Sequence, residues 1–554
     1  MQMRVVLLAS LAALAIVSCG KKDKAAPSPS SGAAASAAAP SPLDSPFTLA
    51  GGEKIDVDAL FALLPEGDRP TYQSATFDAA SGATIVAGLR FADKGGDANG
   101  LTIDRAEFYG VDMEAIDRVK AGTPANDATF EKIFEKVRLF GLKPDRSEDG
   151  SVMTIGAVEL DRFNLRQGGF PKDDDKNNGA QFFNAFSLGG LYFKDILVAK
   201  ADDADAAMGM KAPDLRFVGI GGGKLEAMIA KDFEYSMQQT EASRALMAQA
   251  MGPAAGMFMS GPLQAFVSPD NQLTKIKSLE WGGVDCSGLM SYALKDEKPP
   301  LTAKNLINLG SLRAEAIETS ISGKRAQSIG EVSFPAMEFT WLIPSKVRGS
   351  SKNEVHDFSA YLPASEADAI AILKKHGLNN VKSSSDAAID WDSVKGGAGL
   401  KSNFDSTGLA DTTLSVELAG LELEKINAAM AAGEKDAVVK QGQFKGFGLK
   451  IADEKLLDAL FELSALQSGQ TAADMRAQAP AMVRLMGVQL TQTNPKYGPI
   501  VDAIANFLAD GGTLEISAKP PAPVPFTTIM ATGQSGPDTL PELLGLTATH
   551  TKKK

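Results

Sequence analysis

Residues 106–122 read AEFYGVDMEAIDRVKAG, and 310 positions downstream residues 416–432 read VELAGLELEKINAAMAA. Glu107 matches Glu417, Gly110 matches Gly420, Glu114 matches Glu424, Ile116 matches Ile426 and Ala121 matches Ala431. About one identity is expected by chance over such a window at ordinary residue usage. Where identity fails, character persists: Phe108, Val111, Asp112 and Met113 face Leu418, Leu421, Glu422 and Leu423. The pair predicts a duplicated unit of strand, turn, strand and short helix, the helix starting near Glu114 and Glu424, where a carboxylate suits the positive end of the helix dipole. Upstream, Gly88 and Leu89 stand before the first copy as Gly399 and Leu400 stand before the second, within one residue of the same offset.

Working outward from these copies, the sequence is mostly short stretches of alternating apolar and polar residues punctuated by Gly, Asp and Asn, the pattern of strands with one buried face. Such stretches are Ala83–Phe91, Leu101–Val111, Met153–Leu165, Leu191–Ala199, Leu215–Ile220, Ile276–Val284, Leu309–Ile317, Ile329–Phe339 and Leu414–Leu423. In several, apolar residues fall at positions 1, 4, 6 and 9, as in Ile103, Ala106, Phe108 and Val111, in Ile276, Leu279, Trp281 and Val284, and in Ile329, Val332, Phe334 and Met337. At 44% hydrophobic content four chosen positions are apolar in roughly 4% of windows, about twenty chance hits in the chain, so this spacing by itself carries no weight.

Helical spacing is confined to fewer places. Asn126–Leu139 carries Phe130, Ile133, Phe134 and Val137 at intervals of three and four and reads as a helix, as does Ser365–His376 with Ala367, Ile370, Ala371 and Leu373. In the C-terminal third the period changes to 3.6: Leu456, Leu457, Leu460, Phe461 and Leu463 form one amphipathic face, followed by Ala472–Val488 and Pro499–Leu508, the last stopped by Gly511 and Gly512. A final strand, Thr513–Ala518, runs into Pro520, Pro521, Pro523 and Pro525 and is expected at an edge or at the end of its sheet.

The N-terminus carries an address. Arg4 precedes the uncharged run Val5–Val17, too short for a permanent membrane helix and right for the apolar part of an export signal. The sequence Ile16, Val17, Ser18, Cys19 resembles the lipobox of bacterial lipoproteins. That resemblance implies cleavage after residue 18, a diacylglycerol on the Cys19 thiol and acylation of the new amine, and more than one chain suffices for stable anchoring. Gly20 in place of an aspartate implies the outer membrane, facing the periplasm, rather than inner-membrane retention. The plainer alternative is a secretory signal with an incidental cysteine. Residues 19–47 are dominated by Ala, Pro, Ser, Gly and Lys and read as a disordered tether. Beyond it the expected organisation is a first β-rich domain over 48–300, a second with C-terminal helices over 301–530, and a tail over 531–554.

Composition narrows the function classes. With Cys19 lipidated, Cys286 is the one remaining cysteine, so no intramolecular disulfide staples the fold, and burial must hold its 554 residues. A net charge of −12 argues against a nucleic-acid partner, which needs basic surface in excess.

No constellation of reactive residues rises above its structural explanation. His356, His376 and His550 stand at unrelated positions with no ligand spacing beside them, so no metal site is expected. Gly533, Ser535 and Gly536 approach a nucleophile elbow, but Pro537 follows. Gly221–Gly223 and Lys224 lack the flanking residues of a phosphate-binding loop, with Val218 and Leu225 where glycine and a hydroxyl belong, and read as a turn between strands. Lys172, Asp173, Asp174, Asp175 and Lys176 lack the alternate ligand spacing of a calcium loop and read as a solvated turn. Ala245–Phe266 is uncharged over 22 residues, but Gly252, Pro253, Gly256, Gly261 and Pro262 break it. Its methionines, Met247, Met251, Met257 and Met259, suit core packing first and an adaptable lipid or partner surface second.

The texture of repeated strands such as Leu101–Asp112 and Leu414–Leu423, with a helical C-terminal region closed by Leu514–Lys519, resembles the β-rich envelope proteins of the YdgA and AsmA-like groups. Those groups usually carry an uncleaved N-terminal membrane helix where this chain has Cys19, and no functional residue transfers. The expected fold is α+β and β-dominated, with tandem related units of curved antiparallel sheet, short helices and a helical C-terminal region. The expected function is a non-enzymatic, lipid-anchored envelope component that binds or supports other molecules, without cofactor or metal. It would be held to the membrane by its N-terminal lipid and could meet envelope proteins or lipid. A carrier of lipid or another hydrophobic ligand is the alternative.

Overall fold

The computed structural model describes residues 41–62, 69–91, 100–123, 125–144, 151–171, 178–200, 208–237, 271–301, 303–335, 337–434 and 436–553. The lipobox with Cys19, the run Lys172–Lys176 and the stretch Ala245–Phe266 lie outside these residues. The chain is β-dominated, 48% strand and 28% helix, with a large open antiparallel sheet and a number of helices. It divides into two compact units: among the described residues the first runs to 237 and resumes over Leu273–Glu315, and the second takes 271–272 and everything from Ala316 onward. Among the described residues no helix is long and apolar enough to cross a membrane.

Unit 1 is a meander. Its strands are β1 (Ser74–Asp78), β2 (Ala83–Phe91), β3 (Leu101–Tyr109), β4 (Phe130–Pro144), β5 (Ser151–Arg166), β6 (Phe186–Lys200), β7 (Met208–Gly221), β8 (Lys224–Met237) and β9 (Gln272–Asp285). From β1 to β8 each strand pairs antiparallel with the next. Helix α1 (Val57–Phe61) starts at Asp56, whose carboxylate accepts from the amides of Asp58 and Ala59, and helix α2 (Met113–Ala121) starts at Asp112, which accepts from Ala115. These are ordinary N-caps, each satisfying amides that the helix cannot. Helices α3 (Asn178–Ala185) and α4 (Ser287–Ala293) are also short.

Two transverse creases cross the meander. Between β4 and β5, Lys136 pairs with Asp161 and Phe134 with Phe163, so Glu135 and Arg162 drop out of the ladder; the same happens at Gly141 and Gly156. One crease runs through Gly88, Asp104, Gly141, Gly156, Asp195, Pro213 and Asp232, the other through Gly110, Glu135, Arg162, Gly189, Gly219 and Glu226. On most strands the two lie six positions apart, as Asp104 and Gly110, Glu135 and Gly141, Gly156 and Arg162, Gly189 and Asp195. Alternate strands take the left-handed conformation: Gly88, Gly141, Asp195 and Asp232 in the first crease have φ of 62°, 64°, 55° and 50°, and Gly110, Arg162 and Gly219 in the second 58°, 49° and 63°. Aspartate tolerates that region better than most side chains, arginine poorly. Arg162 is accommodated because its side chain lies over Gly189 on the next strand, where a Cβ would come within 2.7 Å of its Nε.

Each crease switches the face to which the next side chain points, and this gives the 1, 4, 6, 9 spacing its meaning. Between creases the strand alternates with period 2; across a crease the apolar step becomes three. Ile103, Ala106, Phe108 and Val111, then Phe134, Val137, Leu139 and Leu142, then Ile155, Val158, Leu160 and Phe163, then Leu188, Leu191, Phe193 and Ile196, then Ala212, Leu215, Phe217 and Ile220 all join one core with Val57 and Phe61. Val86, Ile103, Val158 and Leu191 are at most 1% exposed, each worth about 1.5–3 kcal/mol of apolar burial.

The same device overturns the helix expected at Asn126–Leu139, where the structure has β4. The step from Phe134 to Val137 crosses the crease at Glu135, and an interval of three next to an interval of two imitates helical spacing. The other strand expectations match β2, β3, β5, β6, β7, β9 and the first strand beyond them, although Leu101–Val111 ends at Tyr109, Leu309–Ile317 begins at Ser311, Ile329–Phe339 is broken into two strands and Leu414–Leu423 ends at Ala419.

Unit 2 follows β10 (Ser311–Ile321), in which the boundary falls. It contains β11 (Lys324–Phe334), β12 (Met337–Thr340), β13 (Ile343–His356), β14 (Val381–Asp392), β15 (Gly397–Thr407), β16 (Ala410–Ala419), β17 (Gln443–Asp453), β18 (Gly512–Ala518), β19 (Val524–Pro525) and β20 (Leu546–Thr551). β11 pairs with β13, and β13 through β18 run as a second meander with β12 beside β13 and β19 beside the start of β17. Its helices are α5 (Ala367–Lys375), α6 (Leu423–Ala431), α7 (Ala437–Gln441), α8 (Leu456–Ser468), α9 (Ala472–Thr493), α10 (Tyr497–Asp510), α11 (Phe526–Ser535) and α12 (Leu540–Leu544). The helical expectations at 365–376 and after 455 therefore stand. α8 and α10 lay Leu457, Ala503 and Phe507 on Leu514, with Ile451, Ile516 and Ala548 around them.

β18 is not an edge strand, contrary to expectation: it lies between β17 and β20. The prolines after Ala518 end the strand, but the chain returns through α11 and α12, and Leu546–Thr551, read from sequence as part of a tail, pairs along its full length.

The two sequence copies share local structure. Gly110 and Gly420 both have positive φ, 58° and 72°, each between a strand and a nine-residue helix, α2 or α6. The upstream Gly-Leu match is not equivalent: Leu89 pairs with Ile103, whereas Leu400 pairs with Val416, the residue that aligns with Ala106.

Candidate functional site

The second face of the unit 1 sheet carries a charged row. Midway between the creases, Glu107, Arg138, Glu159, Tyr192 and Arg216 are successive direct partners across β3 to β7. In the frame of the apolar spacing each occupies position 5, which alternation sends to the face opposite positions 4 and 6. Glu107, Arg138, Glu159 and Arg216 are 6%, 6%, 0% and 6% exposed, so their charges must be met by partners. Glu159 accepts from Arg138 Nε at 2.7 Å and from Lys136 Nζ, and Lys136 also reaches Asp161 at 3.2 Å. Glu107 pairs with Arg105 and accepts from the Tyr109 hydroxyl at 2.9 Å. Arg216 Nε donates to Asp214 at 2.7 Å.

The row is covered by the chain's own first described residues. Ser41–Phe47, read from composition as part of the tether, lies across β3 to β6 as a strap containing a short 3-10 turn, Pro42–Asp44. Arg138 Nη2 donates to the Pro42 carbonyl at 3.0 Å, and Lys194 pairs with Asp44. The Phe47 ring meets Tyr109 edge-on at 5.0 Å and lies under Lys136 Nζ at 4.8 Å, a cation–π contact strengthened by the desolvation of the lysine. Beyond the strap, Leu49 donates its amide to Ser81 at 2.9 Å. Burial, helped by the hydrogen bond to Glu107, pushes the Tyr109 phenol up to about 12. The hydrogen bond from Lys194 holds the Asp44 carboxyl below its ordinary value.

A second polar cluster sits in unit 2 between β13 and β14. Glu354, 6% exposed, lies with Oε2 2.9 Å from His356 Nε2 and accepts from Ser383 Oγ at 3.0 Å, while Ser383 Oγ is 3.0 Å from the same His356 nitrogen. A serine nucleophile needs its base to face it with one ring nitrogen and the carboxylate with the other. Here one nitrogen meets both partners and the serine proton goes to the carboxylate, so the trio is a closed hydrogen-bonded cluster. Burial works against the Glu354 charge, but hydrogen bonds from the surrounding hydroxyls and His356 outweigh it and hold the carboxyl below its ordinary value.

The remaining sequence candidates are dispersed. His376 has Nε2 3.2 Å from Glu462 Oε1, and His550 Nε2 is 2.7 Å from the Gly511 carbonyl. Gly221–Lys224 is the tight connection between β7 and β8, with Lys224 paired to Asp285 at 3.1 Å and the Gly223 carbonyl accepting from Cys286 N. Ser535 donates to the Ala531 carbonyl within α11. Among the described residues no group of three or more His, Cys, Asp or Glu is placed to hold a metal ion. The charged row was absent from the sequence reading because each member looks like a solvated strand residue; the available signal was a charged or polar residue at position 5 of an apolar 1, 4, 6, 9 frame, with opposite signs on β3, β4 and β5, a tyrosine on β6 and an arginine on β7.

A family model described as "Uncharacterized protein" matches residues 403–551, a span that holds the copy Val416–Ala432 and ends with β20. No curated protein matches the chain.

Proposed function

We propose that the chain is a lipid-anchored protein of the bacterial cell envelope, held at the outer membrane by acylated Cys19, facing the periplasm, and acting as a non-enzymatic binding or structural component built from two related β-rich units. The reading rests for its address on the lipobox-like Ile16–Cys19. For its mode of action it rests on one observation: the ionisable side chains that the fold gathers are spent on each other, as Lys136, Arg138 and Glu159 are beneath the strap. The shared strand, positive-φ glycine and helix around Gly110 and Gly420 support the kinship of the units. Metabolic palmitate labelling tests the address. The mature product carries label and a Cys19→Ser chain carries none; an unlabelled product, or unchanged processing and fractionation of the variant, defeats the anchor.

A hydrophobic-ligand carrier is the second reading, favoured by the outer face of α9, where Leu485 and Met486 are 74% and 77% exposed. Phospholipid that copurifies with the chain and is seen by mass spectrometry would favour the carrier; crosslinked protein partners without lipid would favour the scaffold.

A further inference from the structure

The strap is held at two points, and both are specific. At one, Asp44 is paired with Lys194 and the neighbouring Pro42 carbonyl accepts from Arg138 Nη2. At the other, the Phe47 ring fills the space between Tyr109 and the Lys136 ammonium. Between them Ser45 and Pro46 are exposed and face solvent. Withdrawing the strap would leave Lys194 asking for a carboxylate, Arg138 Nη2 asking for a carbonyl oxygen and Tyr109 with a vacant edge. Those three demands are met by a short peptide that turns as Pro42–Asp44 does and then extends, since a backbone offers a carbonyl at fixed distance from side chains two and five positions on.

We propose that the face of β3 to β6 is a recognition groove for a short segment carrying a carboxylate at the end of a tight turn and, three residues later, an aromatic ring, and that Ser41–Phe47 is its built-in occupant, exchangeable with such a segment on a partner protein. The groove is partly prepared in advance: Glu159 and Asp161 hold Lys136, and Glu159 holds Arg138 by Nε, so these two cations stand in place whether or not the strap is there. A built-in occupant competes with an effective concentration in the millimolar range for a short flexible connection, which sets the scale of displacement. The proposal concerns unit 1 alone and does not depend on lipidation of Cys19.

The test uses a fluorescent heptapeptide of the sequence at 41–47, SPLDSPF, and the full mature chain. An Asp44→Ala/Phe47→Ala chain, whose strap no longer holds, is expected to bind the peptide at least tenfold more tightly than the unaltered chain. A peptide carrying the Asp44→Lys change is expected not to bind it, and adding Lys194→Glu to the chain should reverse that preference. Equal affinity for both chains, or no binding by a folded Asp44→Ala/Phe47→Ala chain, overturns the proposal. Should that variant not fold, hydrogen exchange on the unaltered chain decides: millimolar peptide must speed exchange of the Leu43–Phe47 amides and the Lys-bearing peptide must not, and an unchanged rate overturns it.

Discussion

Glu159→Gln separates a buried charged row from an ordinary surface one. Glu159 is fully buried and accepts from Arg138 at 2.7 Å and from Lys136, whose side chains are 8% and 9% exposed. The glutamine keeps the shape and removes the charge, leaving two buried cations, one with Asp161 in reach and the other facing an amide. Removing one partner of a buried pair costs about 3–5 kcal/mol, or about 6–20 °C of melting temperature for a unit of this size. The control is Glu515→Gln, whose partner Lys450 lies 3.2 Å away with both side chains more than half exposed; it should cost no more than about 1 kcal/mol. Because the chain has two units, the readout should be local: calorimetry combined with hydrogen exchange of the β4 and β5 amides. A third chain, Lys136→Met/Arg138→Met/Glu159→Leu, should recover most of the loss, since an apolar replacement of a whole buried ionic group is often neutral. If Glu159→Gln melts within about 2 °C of the unaltered chain, the row is hydrated and the argument for its burial fails.

Two carboxylates of unit 2 should respond to pH with opposite sign. Glu354 has a lowered folded-state value, so its carboxylate stabilises the fold above the unfolded value of about 4.3 and the contribution is lost as pH falls through the lowered one. Glu354→Gln should therefore melt below the unaltered chain at pH 7, with the two converging in acid; a pH-independent gap would contradict this. Asp453, which accepts from the Leu457 amide at 3.0 Å, is raised by burial, so its ionised form costs stability above that raised value. Asparagine keeps the acceptor, and Asp453→Asn should melt at or above the unaltered chain at pH 7 and converge with it below about pH 3.9; a lower melting temperature at pH 7 would refute the assignment. Among the glycines, Gly310 and Gly323 share positive φ, 64° and 80°, but a Cβ on Gly310 would run into the Gly282 carbonyl oxygen and sit 2.7 Å from the Gly283 carbonyl carbon, whereas nothing lies within 4 Å at Gly323. Gly323→Ala should cost about 1–2 kcal/mol for its backbone alone and Gly310→Ala about 1–3 kcal/mol more for overpacking; equal melting shifts would remove the close approach as the cause.

Much of the architecture is local and was legible in the residues. The strands β2, β3, β5 and β16, the helices α5 and α8 to α10, and the strand-to-helix switch after Gly110 and Gly420 follow from apolar period and turn chemistry, which act within a few neighbours along the chain. The helix expected over Asn126–Leu139 and the edge expected at Thr513–Ala518 failed for a different reason. Which face Val137 joins depends on Arg162, 25 positions away, taking a left-handed backbone beside Glu135. Whether β18 is flanked depends on residues that return after two further helices. The charged row belongs to the same class: Glu107, Arg138 and Glu159 are separate surface-like residues until strand register brings them opposite each other and the strap lies over them. Composition and period determined that this chain would be mostly sheet. Only pairing between distant strands decided which charges are buried, because register is set by partners and not by the strand that carries the residue.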